Sequence, residues 1–246
     1  MLFAKCLPQS GAKRYAAMLS LAAFLLSACT ALSIDLDPEF RSQAELFTVS
    51  GRQGLMLRQQ LRFGPYHTDI VDRDWNSSSE VQIANYKSQN QRGGFRFTQR
   101  AFGENGHHVD CRSRANNESL TFGRPERGQW NWLLNADNRF DCEIGAASTE
   151  PRWHLAVGQR DYDNTLSGGL FGPSSHYHIN SIHTAQGSAM TMGVIGYQIS
   201  RDGIIVATLE TMNQGRVWLR QDLSASEASL LAAAASALLL YEAPDS

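Results

Sequence analysis

The sequence predicts a mainly β protein, an antiparallel β sandwich or incompletely closed β barrel with a C-terminal helix. Three observations carry that prediction. Apolar residues recur with period two from Leu46 onward, glycine- and asparagine-rich turns interrupt the runs, and a helix-start signature stands near the end of the chain.

Taken in order, residues 46–49 open the strand set, residues 55–63 follow, and Gly64-Pro65 turns the chain. Further strands are expected at residues 95–102, 107–113, 129–134, 140–144, 154–157 and 177–183. Gly93-Gly94, Glu104-Asn105-Gly106, Asn116-Asn117 and Asp137-Asn138 read as the loops of a meander between them. Residues 194–200 and 204–211 flank Arg201-Asp202-Gly203, and Asp-Gly suits a type I′ hairpin turn because both central residues must take positive φ. Asn213-Gln214-Gly215 then turns into residues 216–220. Ser224 and Glu227 make a capping box that starts a helix over about 224–241. Leu230, Leu231, Ala234, Leu238 and Tyr241 fall on one face of it, as expected of a helix that covers a sheet face or plugs one end of a barrel.

The start of the chain reads as an address. Lys13-Arg14 precede an apolar run over residues 16–26, which ends in Leu26-Ser27-Ala28-Cys29. The run falls well short of the ~20 residues that span a bilayer. A charged n-region, a short apolar region and a cysteine directly after small residues resemble the lipobox of bacterial lipoprotein precursors. The resemblance implies cleavage before Cys29, a diacylglycerol thioether on its sulfur, and a lasting membrane anchor. Thr30 follows where many enteric-type precursors carry an Asp retention signal, so the implied destination is the outer membrane, facing the periplasm. The implied organisation is a signal peptide over 1–28, a lipidated polar tether over 29–45, and a single β-rich domain over 46–246 without a Pro/Gly/Ser-rich break.

Cleavage would remove Lys5, Lys13 and Arg14 and no acidic residue, moving the formal charge from −2 to −5. A mildly acidic domain lacks the basic footprint of a nucleic-acid partner. Cys6 would leave with the signal peptide and Cys29 would be acylated, so Cys111 and Cys142 remain as a pair in an oxidising compartment, where a disulfide is expected. A metal site at that pair would lack the Cys-x-x-Cys spacing of zinc ribbons.

The strongest chemical candidates are histidines. His176 and His178 stand two apart on an expected strand and share a face, so both imidazoles could meet one zinc or copper ion, with His183 or His154 completing the set. An exposed or hydrogen-bonded structural pair is the plainer alternative, and adjacent His107-His108 point to opposite faces. Asp72-Arg73-Asp74-Trp75-Asn76 has the outline of a calcium loop, yet Ser77 stands where glycine is needed and Ile83 where the closing glutamate belongs. Asp161-Tyr162-Asp163 has a similar outline. Trp130 and Trp132 could stack a sugar or line an apolar pocket, against the commoner use of such a pair in core packing. Hydrolase and phosphate-binding signatures are missing. No cofactor is expected.

Phe47-Thr48-Val49-Ser50-Gly51-Arg52 resembles the opening strand of the outer-membrane lipoprotein receptor family, and Gly93-Gly94-Phe95-Arg96-Phe97 resembles its continuation with Phe97 in place of a tryptophan. The resemblance implies an unclosed β barrel with helical lids around an apolar cavity. The functional expectation is a lipid-anchored periplasmic protein of non-catalytic type, an interaction or assembly accessory with an envelope protein partner. Its rivals are a carrier for an apolar ligand or acyl chain and a metal-dependent enzyme built on His176 and His178.

Overall fold

The computed structural model describes residues 32–52, 58–74, 76–101, 106–124, 128–146, 152–159, 165–173, 175–188 and 190–241. The expected signal peptide, Cys29, Thr30, residues 55–57, Trp75 and the Asp161-Tyr162-Asp163 loop lie outside these residues, and Trp130 and Trp132 are described by backbone alone.

From Ser33 onward the chain forms one unit. It begins with helix α1 (Pro38–Gln43), started by Asp37, whose carboxylate accepts the Phe40 amide at 2.9 Å. Fourteen strands follow among the described residues. These are β1 (Ala44–Thr48), β2 (Arg62–Phe63), β3 (Tyr66–Thr68), β4 (Asp72–Arg73), β5 (Ser77–Ile83), β6 (Tyr86–Arg100) and β7 (His107–Arg124). Then come β8 (Gly128–Ala146), β9 (Trp153–Gln159), β10 (Leu166–Phe171), β11 (His176–Thr184), β12 (Thr191–Arg201), β13 (Ile204–Glu210) and β14 (Arg216–Arg220), before helix α2 (Ala225–Leu240). They build one antiparallel sheet in the order β1-β14-β13-β12-β11-β10-β9-β8-β7-β6-β3-β2, with β4 and β5 also paired to β6. Ser50, just past β1, exchanges two backbone hydrogen bonds with Arg62 of β2, at 2.9 and 3.0 Å. That bridge brings the two ends of the sheet together, so of the two expected architectures the molecule takes the nearly closed barrel.

The expected hairpin forms as read: Asp202 and Gly203 have φ of 51° and 79° between β12 and β13. Other expectations are corrected. Gly93-Gly94 lie inside β6, Asn116-Asn117 inside β7 and Asp137-Asn138 inside β8, so the two strands expected at 129–134 and 140–144 are one. Of the run 55–63, only Arg62–Phe63 is strand among the described residues. Strands β5 and β10 join the set without having been expected.

Helix α2 departs most from expectation. Ser229 through Leu240 are all buried, so the helix is apolar on every side rather than on one face. A helix without a polar stripe must be surrounded. It shares one core with the inward residues of strands all around the barrel, among them Val49, Phe63, Val109, Phe140, Leu155, Leu170, Ile179, Tyr197 and Leu209. Alanines 232–235 and Ala237 leave room for that enclosure. Half of the capping box forms: the Ser224 hydroxyl accepts the Glu227 amide at 3.3 Å. The Glu227 carboxylate instead reaches the barrel wall, accepting from Tyr177 at 2.9 Å and pairing with Arg201.

Part of the segment read as a tether is packed. Ile34, Leu36 and Phe40 are buried on the outer wall with Ile195 and Trp218, forming a second core outside the barrel. Its Ile34 end is fixed by Glu210, which is 1% exposed, accepts from Arg216 Nε and Nη2 at 3.1 and 2.9 Å, and accepts the Ile34 amide at 3.2 Å.

Candidate functional site

Alternation along each strand sends one set of side chains into the barrel and the other outward. Cys111 and Cys142 are inward partners directly across β7 and β8, joined as a disulfide with Cα atoms 4.0 Å apart. The bond staples two adjacent strands within the core.

His176 and His178 point outward from β11, both exposed, with ring centroids 5.1 Å apart and edge to face. His183 turns elsewhere, with Nε2 2.7 Å from Ser181 Oγ and Nδ1 3.2 Å from the Met192 carbonyl. His154 lies 3.7 Å from Asp141. No three His, Cys, Asp or Glu side chains among the described residues are placed to hold a metal ion. In the calcium-like segment Asp72 and Asp74 share the Arg96 guanidinium, at 3.5 and 3.0 Å, so a cation of the protein already stands between the two carboxylates. Trp130 and Trp132 fall on the outer part of β8, in register with Phe122 and Leu120.

What the fold does gather is an outer-wall groove of about 600 Å³ across β8–β11. Its base is shallow because small residues line it: Ala156 and Gly158 on β9, Ser167 and Gly168 on β10. At Gly169 a Cβ would meet the Phe171 ring at 2.7 Å, so the glycine lets that ring lie down over the strand. Phe171 remains half-exposed. Arg139, Asp141, His178 and Asn180 rise along the sides. An aromatic face beside planar polar groups suits reversible binding of a polar ligand. Of the residues here, only His178 was singled out by sequence. The signal that could have found the rest is Ser167-Gly168-Gly169, a run of small residues just before the His-Tyr-His strand.

Arg52 was also not foreseen as a functional position. It follows the barrel-closing bridge and donates from Nε to the Leu239 carbonyl at 2.9 Å and from Nη1 to the Thr211 carbonyl. A cation at the last turn satisfies carbonyls that α2 leaves open and complements its dipole. Glycine at position 51 makes the approach possible: its φ is 81°, and a Cβ there would collide with the Gln60 carbonyl oxygen. Thus the 47–52 segment joins three parts of the molecule: β1, the closing bridge and the buried helix.

Two tyrosines around α2 titrate abnormally. Burial, with the Glu227 carboxylate adding to it, pushes Tyr177 up to about 12. Burial alone pushes Tyr241 to about 12, with its ring stacked on Phe140 at 4.3 Å. Tyr197, enclosed in the core, is raised further by the same cause.

Compared with protein-family models, curated proteins and solved structures, the chain matches none.

Proposed function

We propose that this chain is a lipid-anchored, non-catalytic protein of the bacterial envelope, held at Cys29 on the periplasmic face of the outer membrane and acting through its outer surface as an interaction or assembly accessory. One observation carries the choice among readings: α2 occupies the barrel interior. Leu230, Leu231, Leu238 and Leu239 pack there against wall residues from both sides. An acyl chain carried inside would have to displace side chains that already fill the core, and interiors packed to native density do not yield without cost. The metal-enzyme reading needs converging ligands, whereas His176 and His178 face solvent and His183 is engaged by Ser181 and the Met192 carbonyl. The outer wall, with its groove, is where the polar groups are presented.

The test is fractionation with metabolic acyl labelling. Wild-type protein is expected in the outer membrane, labelled by palmitate, and Cys29→Ser is expected to be unlabelled and unprocessed. Wild-type protein free in the periplasm would overturn the anchor. Stoichiometric uptake of a fluorescent fatty acid by the purified protein would overturn the filled-barrel reading in favour of the carrier.

A further inference from the structure

Strands β5 to β8 do not stop at the barrel. Pairing with β9 covers only Arg139 to Ile144 of β8, so the part of β8 before Arg139 continues beyond the wall with β7, β6 and β5 as a four-stranded tongue. We infer that the tip of this tongue is a second membrane contact, seated in the headgroup region of the same bilayer that holds Cys29. The inference rests on the lipid-anchor reading and names what the anchored body does at the surface.

Direction is the first argument. One row of register partners crosses Arg92, Arg114, Arg139, Gly158, Ser167 and Asn180. From that row β7 runs ten residues to Arg124, about 33 Å at the usual ~3.3 Å per residue. Strand β11 runs the same way from Asn180, because three strands alternate between it and β7. Six residues on, Gln186 donates to the Ser33 carbonyl at 2.7 Å, and Ala185 bridges Ile34. The N-terminal segment therefore joins the wall on the tongue's side, roughly 20 Å above the same row at ~3.3 Å per residue. The four peptide links from Ser33 back to Cys29 span at most about 14 Å. Chain length thus lets the acylated residue reach the level of the tip.

Composition is the second argument. Two register rows at the tip fall on one face: Ile83, Tyr86, Leu120 and Trp132 in the first, Phe122 and Trp130 in the second. Val81 precedes them on the same side of β5. Val81, Ile83 and Phe122 are 55%, 68% and 45% exposed. The alternate rows are polar at most positions, with Gln82, Lys87 and Ser119 in one and Thr121 and Asn131 in the other. Among the described side chains, the aliphatic Val81, Ile83 and Leu120 beside the aromatic Tyr86 and Phe122 have the composition of a membrane–water interface. An apolar tip also suits a body of formal charge −5, which gains nothing from anionic lipid and must hold a surface through buried area instead.

The experiment uses the full mature lipidated protein in vesicles of phosphatidylethanolamine and phosphatidylglycerol. With Cys111 and Cys142 bonded and Cys29 acylated, an added cysteine is the single free thiol. Ile83→Cys and Phe122→Cys at the tip, and Ile204→Cys at the opposite end, each carry an environment-sensitive fluorophore. Both tip labels are expected to shift to the blue and to lose most of their emission when the vesicles contain nitroxide-bearing lipid, while the Ile204→Cys label is unchanged. Protein that floats with the vesicles yet leaves both tip labels unquenched would overturn the inference alone, freeing the tip for a protein partner. Protein that fails to float would overturn the anchor and the inference together. Either tip variant suffices if the other does not fold.

Discussion

Strand β6 passes through two physical environments within fifteen residues. Its second half belongs to the barrel, where Phe95, Phe97 and Gln99 are buried and Arg96 and Arg100 are exposed. Its first half belongs to the tongue, where residues 86–91 are all half-buried with no alternation, and every residue of neighbouring β5 is exposed. The backbone ladder is the same in both halves, so hydrogen bonding does not distinguish them. Burial does: the barrel wall rests on a core, whereas the tongue is held by its ladder and by cross-strand pairs worth about 0.2–1 kcal/mol each. Few buried contacts and many exposed backbone bonds mark a region that opens ahead of global unfolding. The tongue's apolar tip is no by-product of packing, because among the described residues beyond the row of Arg92, Arg114 and Arg139 only Ala115 and Asn138, at the tongue's base, are buried.

The contrast breaks most directly with a pair of substitutions. Leu231→Ala removes a fully buried side chain of α2 and is expected to cost about 2–5 kcal/mol in urea denaturation. Asn116→Ala, in the tongue, is expected to stay within about 0.5 kcal/mol. Comparable losses would erase the distinction. A second test sharpens the role of the helix–wall contacts. Tyr177 and Tyr241 titrate near 12 when folded and near 10 when unfolded, so the folded state keeps protons that the unfolded chain has lost between those values. Their contribution is complete below about pH 10 and is lost as pH rises towards 12. Denaturation midpoints should fall over that window, and Tyr241→Phe should flatten the fall. The smallest effect belongs to the outer wall: His176→Gln with His178→Gln is expected to change stability by less than about 0.5 kcal/mol, since both rings are exposed. A larger loss, or metal bound by wild type and released by the double variant, would return the metal reading.

The same contrast explains what the sequence could disclose. The barrel strands were legible where one face is buried, as in β9, β11 and the β12–β13 hairpin, because period two records that burial. The tongue was not. Asn116-Asn117 and Asp137-Asn138 carry turn chemistry, and only neighbouring strands keep them extended. Strand β10 was hidden by Gly168 and Gly169, whose value lies in the ring and strand that lie over them. For α2, the cap at Ser224 was visible and one apolar face was legible, but not the burial of the other sides, where Ser236 donates to buried Gln99 at 2.6 Å. The disulfide followed from counting cysteines. The groove could not be counted, since Phe171, Asn180 and Arg139 meet only through strand register.

The strap formed by residues 33–43 is a length of chain held in reserve along the barrel wall. A pull at the N-terminus meets Ser33 and Ile34 first, and their bonds to Gln186, Ala185 and Glu210 load one after another, as in a peeling seam. The closing bridge at Ser50 and helix α2 lie farther along the chain than that seam. Eleven residues would then pay out, spanning at most about 40 Å at ~3.6 Å per residue, less the distance the docked strap already covers, while the barrel stays shut. Single-molecule extension should register this release as a separate low-force step, and Glu210→Gln should lower its force without moving the step at which the barrel gives way.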